Sequence, residues 1–218
     1  MNVRLLQLAS PALPVGAYSY SQGLESAVEA GIVLDAPSAL EWIGDVMALT
    51  IESMEAPVFL RLVDAWERRD AADAARWNEE YVASRESAEL RAETLQMGFS
   101  LRNLLRDLGV PEVARLDFEE LAYPAAFAFA VAAWRIDARE ALAAYLFAWL
   151  ENQVLAALKC VPLGQTDGQR VLLELAARVA PAVERAARCR DEDLGNLAPG
   201  LATLSSRHET QYTRIFRS

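Results

Sequence analysis

The sequence predicts an all-α fold, a single globular domain of about eight to ten helices, and three observations carry that prediction. Apolar residues recur at spacings of three and four over long segments. No convincing run of alternating β-branched residues appears, and alanine, small enough for close helix packing, is the commonest residue. The 218 residues are 53% hydrophobic and 24% charged, a globular balance that argues against disorder. A chain of that length buries a sizeable core without disulfide or metal staples.

The elements follow in chain order. Residues 1–24 read as an irregular N-terminal segment. Arg4 and the small residues Val15-Gly16-Ala17 imitate a secretory leader, but Gln7, Ser10, Pro11 and Pro14 interrupt its apolar run, so the segment reads as mature protein. Within Ser10–Glu25, Tyr18, Tyr20 and Leu24 are too apolar for an idle linker. They either plug the core, with Ser21 capping the next helix, or present hydroxyls to a partner. After Asp35, Pro37 and a Ser38-x-x-Glu41 capping box start a helix. Its stripe of Leu40, Ile43, Met47, Ile51 and Met54 ends before Pro57. Met97, Leu101, Leu104, Leu105 and Leu108 form another stripe, stopped by Gly109 and Pro111.

Leu121–Trp134 is the longest strongly apolar uncharged stretch, yet it contains Pro124 and is shorter than the about 20 residues that span a bilayer. No membrane segment is expected, and a cytoplasmic location is. The alanines between Ala125 and Ala133 predict close helix packing. Lys159, the only lysine, stands near a helix end as a dipole-complementing cation, with a nucleophilic role as the lesser alternative. Pro162, Gly164 and Gly168 make a tight connection, and Thr166-x-x-Gln169 caps a helix carrying Leu172, Leu175, Ala176 and Val179. Residues 204–218 form a C-terminal tail in which arginines alternate with Tyr212, Ile215 and Phe216, side chains enriched at interface hot spots. Ser206-x-x-Glu209 is expected to cap a short helix that forms on contact.

Charge and residue counts narrow the function. A net charge of −10 repels phosphate backbones, so nucleic acid is not an expected partner. Cys160 and Cys189 lack CxxC spacing, and His208 is the single histidine, which excludes zincin-type and His-cluster metal sites within one chain. Neither GxxxxGK[ST] nor GxGxxG occurs. Glu25 and Glu29 have the i,i+4 spacing of a general acid–base pair, but like charges so placed usually share a wet face. Between Arg4 and Arg61 there are only acids, Glu25, Glu29, Asp35, Glu41, Asp45, Glu52 and Glu55, opposed by a basic tail with Arg207, Arg214 and Arg217. Two docking surfaces of opposite sign, or a solvated face and a plain tail, are the two readings of that asymmetry.

Four segments, LLQLASPALPVGAYSYSQGLE, RAETLQMG (Arg91–Gly98), KCVPLGQTDGQ and RHETQYTRIFRS, resemble in order and spacing the pattern of the urease accessory protein UreF family. The resemblance spans essentially the whole chain; Cys160 and Phe99 are its small departures. It implies an all-helical, dimerising, non-catalytic adaptor that bridges UreD (UreH) and the GTPase UreG during GTP-dependent nickel insertion into apo-urease. No cofactor is implied, nickel being handled by the complex rather than tightly held. By carry-over, Arg207, His208, Glu209, Tyr212, Arg214, Phe216 and Arg217 would meet UreD. Pro14, Gly16, Tyr18, Ser19, Ser21 and Glu25 would form a surface shared with partners, with Lys159, Gln165 and Gln169 as further partner-binding residues. The alternative is a direct regulator of UreG hydrolysis that supplies Arg214 or Arg217 in trans. The basic-free stretch from Leu5 to Leu60 also raises the idea of carboxylates passing a divalent ion transiently.

Overall fold

The structure, a computed structural model, describes residues 2–218. Those residues form eleven α-helical segments and no strand: α1 (Val3–Leu8), α2 (Leu24–Glu29), α3 (Ala36–Val46), α4 (Ala56–Glu67), α5 (Ala71–Ala83), α6 (Ala88–Asp107), α7 (Tyr123–Ala133), α8 (Ala138–Cys160), α9 (Gln165–Ala176), α10 (Val179–Arg188) and α11 (Pro199–His208). A π-helical stretch, Met47–Glu55, joins α3 to α4 without a break, so the eleven segments make ten rods.

Side-chain capping explains several of the starts. Asp35 accepts from Ser38 N at 3.0 Å and Ser38 answers the Asp35 N–H, so the box is Asp35/Ser38 rather than Ser38/Glu41. Asp70, Ser87 and Asp137 cap α5, α6 and α8 by accepting from first-turn backbone N–H groups, without a reciprocal bond. Three further expectations place a helix boundary wrongly. Thr166-x-x-Gln169 lies inside α9, whose N-cap is Gly164. That helix ends at Ala176, which places Val179 at the start of α10. Ser206-x-x-Glu209 ends α11 instead of starting a helix. The irregular N-terminal segment also holds one short helix, α1.

Pro57 does not stop its helix. A proline leaves the carbonyl four residues back without a donor. Here that carbonyl, Ser53 O, accepts from Gly195 N at 3.2 Å, and Leu49 O accepts from Leu197 N at 3.0 Å. Thr50 Oγ and Ser53 Oγ also bond back to Val46 O and Leu49 O, an arrangement that opens a helix toward wider turns. Because the proline's cost is already met, Pro57→Ala should raise stability by less than about 1 kcal/mol, well short of the ~3 kcal/mol that relief of an interior proline usually gives. A larger rise in a urea unfolding midpoint would contradict this account.

The core centres on α7, in which every residue from Pro124 to Val131 is buried. It lies between α4 and α6 and against α8. Gly98 of α6 lets that helix approach so closely that a Cβ there would stand 2.1 Å from Leu121 O. Phe59, Phe127 and Tyr145 form an aromatic triangle with the Phe59–Tyr145 and Phe127–Tyr145 centroids each 5.1 Å apart. Buried Asn78 clips the loop before α7, donating to Glu120 O at 2.7 Å and accepting from Ala122 N at 2.9 Å. α8, not Leu121–Trp134, is the helix long and apolar enough by length and composition to cross a membrane, and half of its apolar window is buried against its neighbours. α1, α2 and α11 close one end of the bundle over α8 and α6.

Candidate functional site

The four sequence segments meet at that end. The opening segment buries Leu13, Val15, Tyr20 and Ser21 and leaves Tyr18 64% exposed. Left-handed backbone at Gly16 and Gly23 makes its two turns; at Gly23 a side chain would also meet Leu201 Cδ1 at 2.8 Å. Ser21 Oγ accepts from Glu25 N at 3.3 Å in the first turn of α2.

After α11 the chain turns and runs back along α2 as a strap. Ile215 N and Phe216 N donate to the Glu25 carboxylate at 2.7 and 2.9 Å. Arg217 N donates to Ser19 O at 2.8 Å, and Ser21 donates to Ser218 O from its backbone at 2.7 Å and its hydroxyl at 2.6 Å. Phe216 is buried among Leu24, Ala27, Ala156, Val161 and Leu204, with Lys159 Nζ 5.2 Å from its ring centroid. His208, fully buried, lies 3.2 Å from Glu25 through Nε2 and 2.7 Å from Glu89 through Nδ1. Arg214 adds an ion pair to Glu89 at 2.9 Å.

Beneath the strap is a buried polar cluster. Glu55, at the end of the π stretch, accepts from the hydroxyls of Tyr81, at 2.6 Å, and Tyr145. Arg85 lies 3.8 Å from it, over the Tyr81 ring, with its Nε unpartnered. Glu93 accepts from Gln22 Nε2 at 2.7 Å and Ser218 Oγ at 2.8 Å. Burial pushes the Glu93 carboxyl up to about 7, and Glu55 pushes the same way against its hydrogen bonds and Arg85. Burial also drives the Tyr81 and Tyr145 hydroxyls well above their ordinary value. These side chains face a cavity of about 100 Å³ roofed by Leu8, Pro11, Leu13 and Trp149, room for several waters.

The expected partner residues thus separate into two groups. Ser21, Glu25, His208 and Phe216 are buried and tie the chain's two ends together. Pro14, Tyr18, Lys159, Gln165, Gln169, Arg207, Glu209, Tyr212, Arg214 and Arg217 are exposed, with Gly16 and Ser19 half-buried. Tyr18, Lys159, Ile215 and Arg217 lie around the strap and give the seam an outer rim of aromatic, aliphatic and cationic side chains.

The acidic stretch is likewise not one solvated face. Glu25 and Glu55 are buried and Glu52 pairs with Arg185 at 2.6 Å, leaving Glu29, Asp35, Glu41 and Asp45 exposed. Burial, with Glu25 nearby, raises the Cys160 thiol to about 11, which keeps it neutral at pH 7. No cluster of His, Cys, Asp and Glu suited to a metal ion is present among the described residues.

Sequence reasoning missed Tyr81, Arg85, Glu89 and Tyr145, of which only the Tyr81/Arg85 spacing of four gave a hint; Gln22 and Glu93 lay within the quoted segments and Glu55 within the acidic stretch, without an individual role.

The UreF family model matches residues 33–176. Over 99% of its length the chain is 57% identical to the urease accessory protein UreF of Azoarcus sp. (strain BH72), of which the alignment covers 95%. It is 51% identical to that of Dechloromonas aromatica (strain RCB), covering 99% of this chain and 96% of the relative. Identity to that of Nitrosococcus oceani is 50%, covering 98% and 97%. With the family model matching residues 33–176 and relatives up to 57% identical over 99% of the chain, this protein belongs to the UreF family of urease accessory proteins.

Proposed function

We propose that the protein is a non-catalytic adaptor in urease maturation. It docks on UreD (UreH), recruits UreG, and couples GTP hydrolysis to nickel insertion into apo-urease, working as a cytoplasmic homodimer that holds no cofactor of its own. The observation that best supports this reading is the seam. Both chain ends and the Lys159 turn are brought to one rim, where Tyr18, Ile215 and Tyr212 are exposed beside arginines. Exposed aromatic and arginine side chains on a braced backbone lose little entropy on binding, which suits a docking surface.

Co-expression with UreD, with and without residues Arg207–Ser218, tests the reading by complex mass in light scattering. Truncation should abolish the complex while the free chain stays helical. An undiminished complex would remove the tail from the contact. A second reading, direct stimulation of UreG, has Arg217 as its best candidate, because Arg214 is already tied to Glu89 whereas Arg217 is exposed. Arg217→Lys should lose UreG turnover but keep complex formation if that reading holds, and weaken complex formation on the bridging reading.

A further inference from the structure

Glu55, Arg85 and Glu93 have no part in the adaptor reading, yet all three line the cavity between the opening segment, the end of α5, α6 and α8. Arg85 is poorly satisfied there. Its side chain is 8% exposed, and of its three guanidinium nitrogens only Nη2 makes a hydrogen bond among the described residues, to Ser84 Oγ at 3.1 Å. Nε has no partner, and Nη1 stops 3.8 Å from Glu55, beyond hydrogen-bond reach. A guanidinium carries five N–H groups, and buried donors as a rule find acceptors. The carboxylates on the same cavity have capacity to spare. Glu55 takes the Tyr81 and Tyr145 hydroxyls and Glu93 takes Gln22 and Ser218, one donor to each oxygen, whereas a carboxylate oxygen can accept two.

Charge and size decide what fits. An ammonium has no acceptor to offer Arg85, and a carboxylate would enter beside two buried carboxylates with water excluded. A small amide supplies a carbonyl for the guanidinium and N–H groups for the carboxylates while adding no charge. On the scale by which a cavity of about 150 Å³ takes benzene, this one of about 100 Å³ takes about four heavy atoms. We propose that the cavity is a binding site for a small uncharged amide, its carbonyl accepting from Arg85, its N–H groups donating to Glu55 and Glu93, and its apolar end against Leu13 and Met97. The exposed lining residues Pro11, Tyr18 and Leu155 mark the mouth. Because the roof is the opening segment that carries Tyr18, a filled cavity braces one side of the docking rim. That consequence rests on the adaptor reading; the binding does not.

Saturation-transfer difference NMR on the full chain tests this, with acetamide, acetate and methylammonium titrated separately and read by the methyl signal that all three share. Acetamide should bind saturably with a dissociation constant on the order of 1 mM, within the ceiling for so small a ligand. Acetate and methylammonium should bind at least about tenfold more weakly. Arg85→Lys, which keeps the charge but loses the forked donors, should weaken acetamide binding by about tenfold. Ala148→Leu fills the cavity from α8 and leaves the polar groups in place, so it should abolish the signal and keeps the proposal testable if the lysine variant misfolds. No saturable acetamide signal would leave the cavity to water and overturn the proposal. Undiminished binding in Ala148→Leu or in Arg85→Lys would place the ligand elsewhere, and either ion binding as tightly as acetamide would refute the uncharged class; each of these overturns it too. Complex formation with UreD is measured separately, so failure of the adaptor reading leaves this result standing.

Discussion

Glu55→Ala is expected to lower folding stability by about 3–5 kcal/mol, read as a fall in the urea midpoint at unchanged slope. The carboxylate is 5% exposed and takes the hydroxyl protons of Tyr81 and Tyr145 in hydrogen bonds, with Arg85 alongside. Its removal strands two buried donors and a buried guanidinium already short of one partner at Nε. An unsatisfied buried donor costs about 1–3 kcal/mol and an uncompensated buried charge more, so the penalty far exceeds that of an ordinary surface glutamate. Combining Glu55→Leu with Tyr81→Phe and Tyr145→Phe should recover part of the loss, because the stranded hydroxyls go too. A cost below about 1 kcal/mol for Glu55→Ala would show that the cluster is not coupled as its geometry indicates.

Gly98→Ala is the second large effect, and its sign runs against helix propensity. In an exposed helix interior, alanine is favoured over glycine by about 1 kcal/mol. Here the new methyl would meet Leu121 O at 2.1 Å and the Ala122 carbonyl carbon at 2.8 Å, both backbone atoms that no rotamer change can move. α6 and the segment entering α7 must separate, and that segment is pinned by Asn78 and by Thr94 Oγ, which accepts from Tyr123 N at 3.0 Å. The expected loss is about 3 kcal/mol, at the upper end of typical overpacking costs. Stability equal to or above that of the parent would mean that the two elements are not in van der Waals contact. The glycine that ends the RAETLQMG segment is thereby explained by packing, without any contact to a partner.

Much of the fold was legible in local chemistry. The stripe Met97–Leu108 with its Gly109 stop, the close packing of the alanine-rich helix and the helix-end position of Lys159 all follow from spacing and caps within a few residues. The run through Pro57 was not legible, because the donors that relieve it come from Gly195 and Leu197, some 140 residues away in sequence. The site divides in the same manner. Its four segments stood out as sequence because periodicity could not account for them. That Ser21, Glu25, His208 and Phe216 bind one another, while Tyr18, Tyr212 and Arg217 face outward, depends on a strap returning across α2.

The helical class and the family are legible in the sequence alone, because each rests on periodicity or ordered motifs. Only the tertiary structure decided what the acids do. Glu25 anchors the strap, Glu55 and Glu93 sit beneath it, and Asp45 remains in water, although all four look alike in the sequence. A carboxylate's role is set by its burial and by the donors that reach it, and those donors are supplied by elements far away along the chain.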